Sequence, residues 1–213
     1  MSRATDAFTK HVNVSRETLL RLQKYEGLLR RWNPKINLVS PNTLDHAWTR
    51  HFLDSAQLLS LAPQRARVWM DLGSGGGFPG AVVAIMAAEA MPEMNVTLVE
   101  ADQRKAAFLR AVSRETGVGF TVIPRRIEDV PPMNADVVSA RALAPLRRLL
   151  AYAEPQLSSG GVALFPKGEN VQSELDEALE AWTFDCEIHR SKAGTNSAIL
   201  KIGEIERVRS KPP

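Results

Sequence analysis

The sequence of 213 residues predicts an α/β fold in which a parallel sheet follows a helical N-terminal region. From Arg67 onward, short apolar runs rich in valine, leucine or isoleucine alternate with helical segments, which is typical of a parallel sheet covered on both faces by helices. Residues 1–62 show helical patterns without strands. A third observation is VWMDLGSGGGFPG, residues 68–80, with four glycines among five residues. Glycines are costly inside regular elements, so this cluster indicates a close approach to the backbone.

In the N-terminal region, Ser15 is a candidate N-cap for an amphipathic, basic helix, SRETLLRLQKYEGLLRRW. The following NPKIN is expected to end it, because the residue before a proline avoids helical geometry. Ser40 and Pro41 then open further helical material that runs through RHFLDSAQLLSL. We therefore expect a helical cap over residues 1–62, an α/β domain over 63–206 and a flexible tail at 207–213.

The α/β part divides into seven apolar runs with helices between most of them. The last two runs have no helix between them, so they could pair as an antiparallel hairpin at the sheet edge. The predicted strands lie near residues 67–72, 94–100, 119–123, 135–139, 161–166, 184–188 and 197–202, and the predicted helices near 79–91, 102–116, 145–154 and 169–181.

Composition sets further limits on the class of protein. With 44% hydrophobic and 24% charged residues, the chain has an ordinary globular composition. The N-terminus lacks an apolar signal core, and the run AVVAIMAA is too short to span a bilayer, so we expect a cytoplasmic protein with no membrane association. The single cysteine, Cys186, excludes an internal disulfide. No motif pairs His51 with a nucleophile or a second ligand, so we predict no metal or hydrolase site.

Charge is distributed unevenly along the chain. Residues 1–62 carry 9 Lys and Arg against 5 Asp and Glu, whereas the remaining residues carry 18 against 19. A basic excess in the N-terminal third suits a polyanion such as nucleic acid. A solvated helix face is the alternative.

The glycine cluster follows the first predicted strand. In open α/β sheets, ligands bind beyond the carboxyl ends of the strands, where the strand order reverses. Free amides at the start of the next helix would point at an anionic group there. Glu100 ends the second predicted strand, where its carboxylate can accept hydrogen bonds from both hydroxyls of a ribose. Together these features predict a nucleoside-containing cofactor.

The glycines fit two patterns. Gly75, Gly77 and Gly80 match the dinucleotide fingerprint G-x-G-x-x-G, which would indicate a nicotinamide-dependent oxidoreductase. That frame starts several residues after the strand and needs Pro79 inside its phosphate turn. Such an enzyme would also need a second nucleotide-binding half or a substrate domain, for which too little chain remains.

The preferred frame starts at Asp71, at the strand tip, and reads acidic-x-G-x-G-x-G with Gly73, Gly75 and Gly77. This is the pattern of S-adenosylmethionine-dependent methyltransferases. A lone glycine motif is a weak signal, so other segments must agree with it.

Seven segments in order provide that agreement: NPKINLVS, RHFLDS, DLGSGGGFPG, EADQRKAAFL, RRIED, SARALAPL and FPKG. Over nearly the whole chain, they resemble the bacterial small-subunit ribosomal RNA guanine-N7 methyltransferases, also called glucose-inhibited division protein B. The resemblance implies a Rossmann-like, seven-stranded class I methyltransferase sheet with a helical cap, S-adenosylmethionine as cofactor, and a target guanine in 16S rRNA near the decoding centre. The substrate would be 16S rRNA, the small ribosomal subunit or an assembly intermediate. AGTNSAILKI departs from the pattern, because it has no arginine before its terminal strand, where the resemblance leads us to expect a basic residue.

This chemistry needs few catalytic residues. Guanine N7 carries an in-plane lone pair and no proton, so no general base is required. The chain has no Asn/Asp-Pro-Pro-aromatic motif of the kind that holds an exocyclic amine, and Cys186 does not follow a proline as a pyrimidine-attacking cysteine would. The enzyme would mainly align its reactants.

The cofactor-binding residues predicted in this way are Asp71, Gly73, Gly75, Gly77, Phe78, Glu100, Ile127, Glu128 and Arg141. Ile127 and Glu128 lie where the resembling family contacts the adenine. Alternatives remain for three of these residues: Phe78 as a core aromatic, Glu100 as a helix cap and Glu128 as part of a solvated turn.

Arg141 is the predicted positioning residue at the reaction centre, because its guanidinium can touch the cofactor or orient guanine through O6 and phosphate. A structural ion pair is the alternative. The predicted RNA contacts are Arg30, Arg31, Arg50, His51, Asp54, Ser55 and Lys167. A packed histidine is the alternative for His51. The rival class is an RNA-binding protein with a degenerate cofactor pocket, disfavoured because Glu100 and the glycine loop are intact. We expect a monomer.

Overall fold

A seven-stranded sheet organises the chain, and the computed structural model describes residues 3–208 of it. The strands are β1 (Val68–Leu72), β2 (Asn95–Val99), β3 (Thr121–Ile123), β4 (Ala135–Ala140), β5 (Leu157–Lys167), β6 (Trp182–Arg190) and β7 (Ala198–Arg207). The sheet order is β3-β2-β1-β4-β5-β7-β6. Strands β1 to β5 are parallel, and β7 runs antiparallel to both β5 and β6. The predicted α/β class, the seven strands and the terminal antiparallel hairpin are confirmed.

Helices cover both faces of this sheet. One buried cluster joins the N-terminal helices to α5, α6 and one sheet face, while a second joins α7 and α8 to the other face. The helices are α1 (Arg3–Thr9), α2 (Arg16–Ile36), α3 (Pro41–Leu44), α4 (Asp54–Ala56), α5 (Gly80–Ala90), α6 (Gln103–Thr116), α7 (Leu146–Ala153) and α8 (Val171–Leu179), with a π-helical segment (Trp48–Leu53) before α4 and short 3-10 helices at Gln57–Leu61, Ile127–Asp129 and Glu154–Gln156. No described helix is long and apolar enough to cross a membrane.

Helix α2 starts as predicted and ends later than predicted. The Ser15 hydroxyl accepts a hydrogen bond from the Thr18 amide at 3.1 Å, as an N-cap does. The helix ends within NPKIN, as expected, but not at the residue before Pro34, because α2 continues through Pro34 to Ile36. The stop comes at Asn37, which adopts a left-handed conformation with φ of 46°. The buried amide oxygen of Asn33 then accepts hydrogen bonds from the backbone amides of Leu38 and Val39, which fixes the chain where it leaves the helix.

Aromatic side chains join the N-terminal helices to the glycine loop. Phe8 packs edge-on against Trp48, which stacks on Phe52 with ring centroids 4.7 Å apart. Phe52 and Tyr25 in turn contact Phe78 of the loop, each with a centroid distance of 5.3 Å. The cap is therefore packed directly behind the residues that follow β1.

At the other end of the chain, Arg207 is the last residue of β7, and its guanidinium lies 5.1 Å from the centre of the Trp182 ring. The expected flexible tail began at this residue. Its residues 209–213 lie outside the described part of the chain.

Candidate functional site

The sheet register brings the ends of three strands together. Leu72, the last residue of β1, pairs with Val99 of β2 on one side and with Ala140 of β4 on the other. Between β1 and β4 the strand order reverses, which is where ligands bind in open α/β sheets. Gly73, Glu100 and Arg141 each follow one of these strand ends, so the topology places them side by side.

A cavity of about 750 Å³ opens at this point, within the range of roughly 300–1,000 Å³ usual for small-molecule sites. Its wall is formed by the glycine loop, the segment after α2, the 3-10 helix after β3 and the loop after β4. We call it the cofactor cleft. The predicted residues that line it are Arg50, His51, Gly73, Gly75, Phe78, Glu100, Ile127, Glu128 and Arg141.

The glycines of the loop differ in what surrounds them. Gly75 has φ of +54°, and a Cβ there would meet only the Gly73 carbonyl oxygen, at 3.8 Å, so this position opens into the cleft. A Cβ at Gly73 would come within 2.6 Å of Leu143. Gly77 faces the core instead, because its Cβ would meet the Tyr25 hydroxyl and, at 3.1 Å, Leu109. Gly77 therefore permits close packing behind the loop, and its contact with the cofactor stays a prediction.

Glu100 is held in place by the loop that it faces. Its Oε2 accepts a hydrogen bond from the Gly75 amide at 2.7 Å, and its Oε1 accepts one from the Asp102 amide at 2.8 Å. The side chain is buried but lines the cleft. Carboxylate oxygens have further lone pairs, so both can still accept hydrogen bonds from a ligand.

Asp71 does not reach the cleft, which corrects its predicted role as a cofactor contact. The side chain is fully buried, and its Oδ1 accepts a hydrogen bond from the Ser139 hydroxyl at 2.6 Å. Burial raises the pKa of this carboxyl from 3.8 to about 6, although the Ser139 hydrogen bond lowers it. A Cβ at Gly80 would lie 2.6 Å from the Asp71 Cβ, so the start of α5 packs directly on it. Asp71 supports the loop from beneath.

Ile127 and Glu128 form the opposite side of the cleft, on the 3-10 helix after β3. The Glu128 carboxylate accepts a hydrogen bond from the Tyr152 hydroxyl at 2.9 Å, and the Arg148 guanidinium lies 3.8 Å away. The pKa of Glu128 is lowered by its backbone and Tyr152 hydrogen bonds. A charged carboxylate is therefore fixed here beside an apolar side chain.

Tyr25 closes the cleft from behind. Its hydroxyl, fully buried, donates a hydrogen bond to the Gly76 carbonyl oxygen, and its ring stacks on Phe78 at an interplanar angle of 20°. Burial raises the pKa of Tyr25 well above 10, so the hydroxyl keeps its proton. Phe78 is both a packed core aromatic and a lining residue of the cleft, since it is only 4% exposed.

Arg141 lies over the Phe78 ring, 5.0 Å from its centre. One guanidinium nitrogen donates a hydrogen bond to the Arg50 carbonyl at 3.0 Å and lies 3.4 Å from Asp54 Oδ2. The other Asp54 oxygen accepts a hydrogen bond from Ser191 at 3.1 Å. The structural ion pair that we considered as the alternative role of Arg141 is thus present, and Arg141 still lines the cofactor cleft.

His51 is a neutral residue of the same wall. Burial, followed by the charges of Arg141 and Arg50, lowers the pKa of its imidazole from 6.5 to about 3. Its Nε2 is 2.8 Å from the Thr43 hydroxyl, and its ring lies against Phe78. At neutral pH the imidazole is therefore uncharged and presents no positive charge to a ligand in the cleft.

A second cavity, of about 840 Å³, adjoins the cofactor cleft and shares Arg50, Arg141, Ala142 and Leu143 with it. Lys167 lies on the wall of this cavity with its side chain 9% exposed, 2.6 Å from Glu174 Oε2 and 3.2 Å from the Ala144 carbonyl. We call it the adjoining cavity; Arg50 and Asp54 also line it.

Three predicted RNA contacts lie elsewhere. Ser55 is completely buried and lines neither cavity, because α4 turns it into the core, so its prediction is corrected. Arg30 and Arg31 also lie outside both cavities, on the exposed side of α2. Arg30 is paired with Glu26 at 3.0 Å and Asp45 at 3.4 Å.

Sequence reasoning missed Tyr25 as a loop contact and Glu174 as a cavity residue. The sequence pattern identifies Tyr25 only as one of the apolar positions of an amphipathic helix. Glu174 stands on a helix with several carboxylates, and no motif sets it apart. Both roles arise from packing between segments distant in the chain, 51 residues apart in the case of Tyr25 and Gly76.

Comparison with known proteins supplies further evidence. Residues 18–199 match the family described as rRNA small subunit methyltransferase G. The chain is 51% identical over 197 residues to a protein of Ruegeria sp. strain TM1040 with the name ribosomal RNA small subunit methyltransferase G, covering 92% of this chain and 96% of that one. It is 52% identical over 203 residues to a Rhodospirillum centenum protein of the same name, covering 95% and 91%.

Solved structures support the fold. The TehB-like SAM-dependent methyltransferase of Corynebacterium glutamicum is similar with a TM-score of 0.56 and 14% identity, over 85% of this chain and 98% of that one. The M. jannaschii TYW2 structure, in complex with AdoMet, gives a TM-score of 0.55 and 16% identity over 82% and 80%. At these identities the likeness concerns the sheet and its helices.

Proposed function

Since the chain belongs to the rRNA small subunit methyltransferase G family, we propose that it transfers a methyl group from S-adenosylmethionine to N7 of a guanine in 16S rRNA. One observation carries this proposal at the site. The loop opening at Gly75, the carboxylate of Glu100 and the guanidinium of Arg141 face a single cleft at the point where the strand order reverses.

The residues present fit the cofactor. The space above Gly75, which a Cβ would enter, admits a ligand to the loop backbone. Glu100 would accept the two ribose hydroxyls, and Ile127 with Glu128 would hold the adenine through apolar contact and a carboxylate acceptor. When bound, S-adenosylmethionine supplies a methyl group activated by its sulfonium charge.

The protein's own part in the reaction is alignment. Guanine N7 attacks with a lone pair and releases no proton, so no residue has to act as a base. Arg141, held by Asp54, the Arg50 carbonyl and the Phe78 ring, presents a fixed donor fork that can orient the O6 atom of guanine. Alignment of this kind can contribute roughly 7–11 kcal/mol to lowering a barrier.

The residues around Arg141 also limit the positive charge on this wall of the cleft and the access of water to it. His51 stays neutral because its pKa is about 3, so it adds no positive charge next to a sulfonium. Phe78 covers the inner wall with an aromatic face and is nearly inaccessible. The charged donors on that wall are consequently the guanidinium groups of Arg141 and Arg50 and not the imidazole of His51.

For the RNA, we assign contacts to Arg50, His51 and Asp54 at the junction of the two cavities and to Lys167 in the adjoining cavity. Arg31 offers an exposed guanidinium on α2 for the RNA backbone. We propose that the substrate is 16S rRNA, either free, within the small ribosomal subunit or in an assembly intermediate, and that the protein acts in the cytoplasm. We propose that it acts as a monomer, with residues 1–62 as the cap and 63–206 as the methyltransferase domain.

The experiment is mass mapping of methylated guanines in 16S rRNA from cells with and without this protein. One guanine should lose its N7 methyl group when the gene is deleted, and the wild-type gene should restore it. An Arg141→Lys variant should restore it poorly while still binding S-adenosylmethionine, because a lysine cannot reproduce the donor fork. Unchanged methylation in the deletion strain would refute the proposal, and it would favour an RNA-binding protein without this activity.

A further inference from the structure

We propose that the adjoining cavity holds the target guanine and that the Lys167–Glu174 pair reads its Watson–Crick edge. This inference rests on the proposed function and adds to it the place of the base and the residue that selects it. Glu174 belongs neither to the glycine motif nor to the residues that line the cofactor cleft.

The first argument is the accessibility of N7 in RNA. In A-form RNA the major groove, which contains N7, is deep and narrow, so side chains do not reach it. A guanine that presents N7 to an enzyme must therefore be unpaired or extruded, and enzymes that modify bases commonly take them into a pocket. The adjoining cavity, of about 840 Å³, shares Arg141 and Leu143 with the cofactor cleft, so a base within it would lie next to the cofactor.

The second argument is the state of Glu174. Its Oε2 accepts hydrogen bonds from Lys167 Nζ at 2.6 Å and from the Leu146 amide at 2.7 Å. Within residues 3–208, no donor reaches Oε1. The side chain is 25% exposed, and it lines the cavity. The Glu174 carboxylate is thus held in place through Oε2, while Oε1 is available to accept a hydrogen bond from a ligand.

Lys167 complements this acceptor. Its ammonium group donates to Glu174 and to the Ala144 carbonyl, and an ammonium has three donors, so one remains. The pair therefore presents a donor directly beside an acceptor. The other carboxylate at the junction, Asp54, already accepts from Arg141 and Ser191 with its two oxygens.

This order of groups matches guanine and opposes adenine. On its Watson–Crick edge, guanine places the O6 acceptor beside the N1–H and amino donors, whereas adenine places an amino donor beside the N1 acceptor. Lys167 would donate to one lone pair of O6 and Arg141 to the other, while Glu174 Oε1 accepts from N1–H or the amino group. These contacts leave the lone pair of N7 unengaged, so N7 can face the cofactor cleft.

The test uses free nucleotides, with the full-length protein saturated with S-adenosylhomocysteine to fill the cofactor cleft. GMP and AMP are titrated separately, and binding is followed by NMR at the methyl groups of Ala144 and Ala193, which line the adjoining cavity and not the cleft. GMP should shift both signals and bind at least about tenfold more tightly than AMP, as expected for one well-placed pair of base contacts.

Two variants locate the selectivity. Glu174→Gln should bring the GMP and AMP affinities within about twofold of each other, because the amide can present a donor where the carboxylate presents only acceptors. The matched control is Glu177→Gln, an exposed residue of the same cavity wall one helical turn away, which should keep the preference. Intact unfolding curves for both variants exclude loss of fold as the cause.

Equal affinities of GMP and AMP for the wild-type protein would overturn the inference, as would a preference that survives in Glu174→Gln. Absence of any response at Ala144 and Ala193 up to the solubility limit of GMP would overturn it as well. Failure of S-adenosylhomocysteine to bind would instead count against the proposed function, and the GMP and AMP comparison can still be made in the adjoining cavity.

Discussion

Replacing Asp71 with asparagine should change how stability depends on pH, in a direction fixed by the burial of this carboxyl. In the folded protein its pKa is about 6, against an ordinary value of 3.8. Between these two values the unfolded chain loses the Asp71 proton while the folded chain keeps it. Rising pH therefore favours the unfolded state, and the stability that Asp71 contributes at low pH is lost as the pH rises from about 4 to about 6.

The magnitude follows from the shift itself. A change of roughly two pKa units at about 1.4 kcal/mol each corresponds to about 3 kcal/mol. Asparagine keeps an acceptor for the Ser139 hydroxyl and cannot ionise. The free energy of unfolding of Asp71→Asn, minus that of the wild type, should therefore rise by about 2.5 kcal/mol between pH 4 and pH 7, because roughly 0.5 kcal/mol of the effect has already appeared at pH 4.

The assay is urea unfolding followed by circular dichroism at half-unit pH steps over that range. Taking the difference between variant and wild type removes the contributions of all other titrating groups. Asp185→Asn, the same substitution at an exposed position of β6, is measured in parallel as the control. A flat difference for Asp71→Asn would refute the reasoning, because the carboxyl would then titrate alike in both states.

Three further outcomes are expected. Glu100→Ala should weaken S-adenosylmethionine binding by at least ~1.5–3 kcal/mol, the size of a lost charged hydrogen bond; unchanged affinity in calorimetry would contradict its assigned role. Gly75→Val should lose cofactor binding, because its side chain would enter the cleft and a β-branched residue is strained at a φ of +54°; retained binding would mean that the loop faces elsewhere. Arg31→Ala should reduce the salt dependence of RNA affinity by roughly one unit per lost phosphate contact, whereas Arg30→Ala should change it less because Arg30 is already paired; equal slopes in wild type and Arg31→Ala would show that α2 does not touch RNA.

The sheet was predictable because its signals are local. Every predicted strand and every predicted helix of the α/β part corresponds to an observed element, since apolar runs and helical periodicity are properties of short segments. Helix α2 shows the limit of this approach. Pro34 removes only one amide donor, and the actual stop depends on the side chain of Asn33 and the left-handed backbone of Asn37, neither of which a proline rule considers.

The site was predictable in position and less so in detail. Glu100 was placed from its position at a strand end, yet its hydrogen bond to the Gly75 amide joins residues 25 apart and follows from the sheet register. Asp71 belongs to the same motif and is nevertheless buried, because α5 packs against it. The position of Glu174 in the adjoining cavity depends on which face of α8 packs toward Lys167. Spacing identifies a motif, whereas the direction of each side chain is decided by neighbours from other segments.

The hydrogen bond from Tyr25 to the Gly76 carbonyl determines where this chain can be divided. It joins a helix that precedes the sheet to the loop that follows the first strand; the bond is buried, and the Tyr25 ring packs against Phe52 and Phe78. A fragment that starts at β1 would leave that carbonyl unpaired and the Phe78 ring open to water. A chimaeric enzyme that takes its glycine loop and sheet from this chain must therefore also include helix α2, so that Tyr25 can form the same hydrogen bond to Gly76.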